Sequence, residues 1–124
     1  MNKTIIIIGG STGIGKALVE EAAKEPSNKI FAFARKDKLM RDNFQALNNV
    51  STHHLDLEFF DEKKISDVIA NIGPIDILIN NAGYLVKNSF NKLSHEDFLK
   101  SYQINVIGIM QCVQAAIPKM NPNG

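Results

Sequence analysis

The chain has 124 residues, 44% of them apolar and 22% charged, with a formal net charge of +1. That length suits one domain, that balance excludes wholesale disorder, and the near-zero charge argues against a polybasic surface for nucleic acid or membrane. No apolar run approaches the roughly 20 residues that span a bilayer. The single cysteine, Cys112, excludes an intramolecular disulfide and fits a reducing, cytoplasmic setting.

Thr4 to Ile8 is a β-branched run apolar on both faces, which predicts a buried parallel strand. Gly9 to Gly15 is a glycine-rich turn. Lys16 to Lys24 has Ala17, Leu18 and Ala22 at helical spacing, and Pro26-Ser27-Asn28 ends it. Lys29 to Ala34 predicts a second strand. Asp37 can cap a short helix over Lys38–Leu47, and Val50 to Leu55 is a weaker third strand.

Asp61 to Ile72 reads as a helix with Ile65, Val68, Ile69 and Ile72 on one face, closed by Gly73-Pro74. Ile75 to Ile79 is a fourth strand. After the loop from Tyr84 to Leu93, Ser94 and Asp97 form a capping-box pattern. The helix it opens is expected to run to about Ile117, with Phe98, Tyr102, Val106, Ile109, Val113 and Ile117 along one stripe. Strand and helix thus alternate four times. Such alternation implies a parallel sheet with helices on both faces, because each crossover is right-handed. Four strands in the order 3-2-1-4 would open a dinucleotide-binding, doubly wound α/β fold.

Gly9-Gly10-Ser11-Thr12-Gly13-Ile14-Gly15 carries the strongest chemical signal. A tight strand-to-helix turn with bare backbone lets a pyrophosphate approach closely, and the helix start offers unpaired N–H groups. The Ser11 and Thr12 hydroxyls can add donors. A plain glycine turn is the competing reading. Arg35, followed by Lys36, stands where this fold places either an acid for the adenosine ribose 2′-hydroxyl or an Arg for a 2′-phosphate. No acid ends the second strand, so NADP(H) is expected in preference to NAD(H); a solvated Arg-Lys pair is the plainer alternative.

Asn80-Asn81-Ala82-Gly83 follows the fourth strand, at the sheet end where ligands bind. Two amides there can cross-link loops, and Ala-Gly leaves room; a simple Asn/Gly turn would look the same. Asn105 interrupts an apolar helix stretch and is expected to be a buried, hydrogen-bonded amide. His53 and His54 point to opposite faces of a strand and cannot share a metal, and no Cys/His cluster has zinc spacing, so no metal site is expected.

Together these signals resemble the short-chain dehydrogenase/reductase family, in order and interval over essentially the whole chain. Gly9, Gly13 and Gly15 match its T-G-x-x-x-G-x-G turn, with Ile8 in place of the usual Thr, a departure that can loosen the turn but leaves the glycines intact. Asp56-Leu57 looks like the pair that holds adenine. Asn80 to Gly83 matches N-N-A-G, and Ile104-Asn105-Val106 looks like the segment of the catalytic Asn.

The resemblance implies a Rossmann-like fold and hydride transfer between NAD(P)H and a carbonyl or alcohol substrate. It assigns Gly9, Ser11, Thr12, Gly13, Ile14 and Gly15 to the pyrophosphate and Arg35 and Lys36 to the 2′-phosphate. Asp56 and Leu57 fall to adenine, Asn80, Ala82 and Gly83 to the nicotinamide side, and Asn105 to the catalytic relay. The family's Ser and Tyr-x-x-x-Lys are missing: Tyr84 is followed four residues on by Asn88, and Tyr102 by Val106. Residues 1–124 therefore read as a four-stranded cofactor-binding half, cut before a fifth strand and inactive alone. The alternative is a non-catalytic nucleotide-binding or interaction remnant. Homo-oligomerisation is expected, and the different glycine spacing of the epimerase/dehydratase branch argues against that relative.

Overall fold

A computed structural model describes residues 2–124. Strands β1 (Thr4–Ile8), β2 (Lys29–Ala34), β3 (Val50–His54) and β4 (Ile77–Asn80) form one sheet in the order β3-β2-β1-β4. All its pairings are parallel. The fold is the expected Rossmann-like α/β arrangement.

β1 supplies both cores, because alternate residues of a strand face opposite sides. Ile5 and Ile7 pack with Val19, Ile30, Ala32, Met40 and Phe44. Helices α1 (Gly13–Ala23) and α2 (Asp37–Phe44) provide Val19, Met40 and Phe44 and so cover that face. Ile6 and Ile8 face Phe33, Leu55, Leu57, Ile65, Ile69 and Cys112 on the other. Each fully buried isoleucine contributes about 1.5–3 kcal/mol, which makes β1 the mechanical centre of the chain.

Helix α3 (Glu62–Asn71) is capped by Asp61, whose side chain accepts from Lys64 N. Helix α4 (His95–Tyr102) opens with the expected box: Asp97 N donates to Ser94 Oγ at 3.1 Å, and Ser94 N to Asp97 Oδ2 at 2.9 Å. The helix is not continuous α-helix to Ile117. A π turn, Gln103–Ile107, separates α4 from α5 (Gly108–Ala116), and Gly108 N donates to Gln103 O five residues back. The expected stripe is not the buried face either: Phe98, Tyr102, Val106 and Ile117 are exposed. Ile104, Gly108, Cys112 and Ala116 are buried instead. The small residues Gly108, Cys112 and Ala116 bring the helix close to the layer beneath, since a Cβ on Gly108 would lie 2.8 Å from Leu57 Cβ.

Two more boundaries differ from expectation. β4 begins at Ile77, because Ile75 bridges in parallel to Met120; Ile75 N donates to Lys119 O and Asn121 N to Ile75 O. Asp37 is the first residue of α2 and not its cap, and its carboxylate turns to His54 across the sheet end. His53 and His54 do diverge: His53 stacks on Phe33 with ring centroids 5.0 Å apart. Burial, with Lys64 nearby, holds the His53 imidazole below its ordinary pKa.

Candidate functional site

The carboxyl ends of β1, β2, β3 and β4 converge on one cleft of about 250 Å³. The glycine turn forms its floor. Gly9 N and Gly10 N both donate to Phe33 O, at 2.7 and 3.2 Å, which ties the turn to the end of β2. Gly9 has φ +91°, and a Cβ there would lie 2.6 Å from Ala82 N. A Cβ on Gly15 would meet Gly9 O at 1.8 Å. Only glycine fits either place, one for conformation and contact, the other for contact alone. The Ile8 side chain is buried, and its carbonyl accepts from both Asn81 N and Ala82 N at 2.9 Å.

Thr12 precedes α1 in extended conformation with no side-chain cap bond, and the first turn holds no acid. The helix start therefore keeps its unpaired N–H groups and positive dipole end for an anion. Gly9, Ser11 and Thr12 line the cleft; Gly13, Ile14 and Gly15, the first turn of α1, are not in its lining. Arg35 and Lys36 line the side beyond β2, and among the described residues neither is ion-paired.

Asp56 and Leu57 line the wall after β3, and Asp56 Oδ1 accepts from Glu58 N at 2.9 Å. From β4 come Asn81, Ala82 and Gly83. The Asn81 amide donates to Gly9 O at 3.1 Å and so fastens the end of β4 to the glycine turn. Asn80 is not part of the lining; its Oδ1 is buried without a partner.

Asn105 is exposed, not buried as expected, and Ile104 takes its place in the cleft wall. Its amide nevertheless makes two bonds with the main chain of Tyr84, accepting from its N–H and donating to its carbonyl. Tyr84 lines the cleft, with Lys100 Nζ 4.5 Å from its ring centroid. Lys100 also pairs with Glu58 at 3.4 Å, and Gln103 Nε2 donates to Leu57 O at 3.0 Å. Helix α4 and the π turn thus join the loops after β3 and β4 into one wall. Sequence reasoning missed Tyr84 and Ile104 as lining residues; the only available signal was their adjacency to N-N-A-G and to Asn105.

The cleft fits a dinucleotide. It combines an anion-ready helix start, a backbone cradle that side chains would fill, and two cations at the end of β2 with no ion pair among the described residues. Among the described residues no cluster of His, Cys, Asp and Glu could hold a metal, and no helix is long and apolar enough to cross a membrane.

The short chain dehydrogenase family model matches residues 3–124. An NADP-dependent 3-hydroxy acid dehydrogenase of Schizosaccharomyces pombe is 35% identical, over 94% of this chain and 48% of its own length. A 3-dehydrosphinganine reductase of Arabidopsis thaliana is 32% identical, over 92% of this chain and 36% of its own. Among solved structures, a short-chain dehydrogenase/reductase from Brucella melitensis superposes with a TM-score of 0.87 at 20% identity, over 97% of this chain and 53% of that one. The chain spans about half the length of such relatives, or less.

Proposed function

The chain belongs to the short-chain dehydrogenase family, a family of oxidoreductases, and on that premise we propose that it is the cofactor-binding portion of an NADP(H)-dependent oxidoreductase. When bound, the nicotinamide supplies a hydride to a carbonyl, or takes one from an alcohol. The chain's own residues hold the cofactor. Gly9, Ser11, Thr12 and the start of α1 through Gly13, Ile14 and Gly15 receive the pyrophosphate. Arg35 and Lys36 receive the 2′-phosphate. Asp56 and Leu57 border adenine. Ala82 and Gly83 border the nicotinamide side, with Asn80 as a support behind them. Asn105, within the π turn, is the one residue of this chain that the resemblance assigns to the catalytic set.

The observation that carries the preference for NADP(H) is the pair of cations, Arg35 and Lys36, on the cleft wall at the end of β2, without an ion pair among the described residues. The S. pombe relative, NADP-dependent by name, supports it. A charge-assisted bond contributes about 1.5–3 kcal/mol, so Arg35 should favour NADP over NAD by roughly ten- to hundredfold. Competitive titration of the two cofactors tests this. Equal affinities, unchanged in Arg35→Ala, overturn it.

A second reading, a nucleotide-binding module without turnover, is favoured by the lack of a Lys four residues after Tyr84 or Tyr102. It predicts cofactor binding but no sustained oxidation of NADPH by the 124-residue chain across a panel of carbonyls. Turnover by that chain refutes it. Either way, we propose a cytoplasmic protein that acts on or derives from chemistry on a small carbonyl or alcohol. The exposed strip of Phe98, Leu99, Tyr102, Val106 and Met110 supports self-association into a homo-oligomer.

A further inference from the structure

Resting on the reading of the cleft as a dinucleotide site, we propose that His54 is a positioning residue for the 2′-phosphate subsite. It holds the Asp37 carboxylate away from Arg35 and anchors the Arg35 main chain in the same contact.

His54 is the last residue of β3, and its partner across the sheet is Ala34, the last residue of β2. That register lays the imidazole against the turn of Arg35, Lys36 and Asp37. Its Nδ1 lies 3.1 Å from Arg35 O and 3.1 Å from Asp37 Oδ1. A carbonyl only accepts, and so does an ionised carboxylate. Nδ1 must therefore carry the hydrogen and share it between the two. The hydrogen bond from His54 holds the Asp37 carboxyl below its ordinary pKa, so it stays an acceptor.

The other Asp37 oxygen, Oδ2, faces Arg41, one turn along α2, at 3.9 Å. Both oxygens are thus engaged away from the cleft. Neither Asp37 nor His54 lines the cleft, whereas Arg35 and Lys36 both do. Of Arg35, Lys36, Asp37 and Arg41, only Asp37 repels a phosphate; Lys38 and Asp42 follow on α2, and Asp56 lines the same cleft. Without the imidazole, Asp37, two residues from Arg35, becomes free to pair with Arg35 or Lys36. It then competes with the phosphate for them.

Exposed charges interact weakly, so removal of His54 should lower the ratio of NADP to NAD affinity by about three- to tenfold. Calorimetric titration of both cofactors into the full chain, alongside thermal melting, reads this. His54→Ala is expected to lower the ratio while NAD affinity holds, with a small drop in melting temperature from the lost bonds to Arg35 O and Asp37. His54→Asn should restore the ratio, because its amide nitrogen can donate from nearly the position of Nδ1. Adding Asp37→Asn to His54→Ala should restore it too, because the competing charge is gone.

An unchanged ratio in His54→Ala, equal weakening of both cofactors, or failure of both rescues overturns the proposal. Wild-type preference that Arg35→Ala abolishes and His54→Ala leaves intact overturns this inference alone. Wild-type chain with no preference for NADP overturns the cofactor reading and this inference with it.

Discussion

Asn105 holds Tyr84 by both ends of one amide: Oδ1 accepts the Tyr84 main-chain N–H at 2.7 Å, and Nδ2 donates to the Tyr84 carbonyl at 2.9 Å. The pair pins the loop after β4 to the π turn, 21 residues away in sequence. Each bond should contribute about 0.5–1.5 kcal/mol net. Asn105→Ala loses both and should destabilise the chain by about 1–3 kcal/mol. Asn105→Asp keeps the acceptor and loses the donor, so it should fall between wild type and Ala. Urea unfolding midpoints check the order, and a fully stable Asn105→Ala contradicts it.

The clamp also marks what the sequence could and could not tell. Runs such as Thr4–Ile8 announce themselves, because the four isoleucines there bury on both faces of a strand whatever their neighbours. The glycine turn is legible because Gly9 and Gly15 answer to contacts within the same turn or its immediate neighbour strand. Asn105 was expected in the core because large apolar residues surround it. The π turn and the small residues Gly108, Cys112 and Ala116 changed that outcome: close approach, not bulk, decided which face went inward. Asp37 was equally opaque. Its local pattern is that of a helix cap, but a partner 17 residues away, His54, takes its carboxylate. Tyr84 offered only its adjacency to N-N-A-G, since Asn105 grips its main chain and not its side chain.

Two glycines of the turn should respond differently to the same change. A Cβ on Gly15 meets Gly9 O at 1.8 Å and Asn81 Nδ2 at 2.7 Å, so Gly15→Ala must push the turn apart. It should cost about 3 kcal/mol, the upper end of overpacking, and abolish cofactor binding. Gly13 has φ +56°, but a methyl group added there would meet nothing within 4 Å. Gly13→Ala should therefore cost only about 1–2 kcal/mol of backbone strain. Melting temperatures of the two variants rank them, and equal losses would contradict the contact argument.

Cys112 should be inert in the folded chain. It is 1% exposed within the cluster of Ile6, Ile8 and Phe33. Burial pushes its thiol pKa up to about 12. At pH 8 only about one molecule in ten thousand would carry the thiolate, the form that reacts. Iodoacetamide should leave the native chain unmodified by mass spectrometry and label it fully in urea. Rapid native labelling would place Cys112 outside the core.

Asp76 should give the chain part of its acid sensitivity. Its Oδ2 accepts from Thr4 N at 2.8 Å and its Oδ1 from the Asn121 amide at 3.1 Å, joining the start of β1 to the segment after α5. The Thr4 bond is the main reason that its pKa lies below the ordinary aspartate value; the Asn121 bond and the charge of Lys3 add to it. A carboxyl depressed in the folded state stabilises the fold above its unfolded pKa, about 3.9, and loses that contribution as pH falls through the folded value. Wild-type stability should thus decline as pH falls below about 4, with Asp37 and Glu25, also depressed, contributing to the same limb. Asp76→Asn should start less stable at pH 7, because an amide oxygen accepts more weakly than a carboxylate, and should decline less steeply in acid. Urea midpoints from pH 7 to pH 3 measure both slopes. Parallel curves for the two proteins would remove Asp76 from the acid limb.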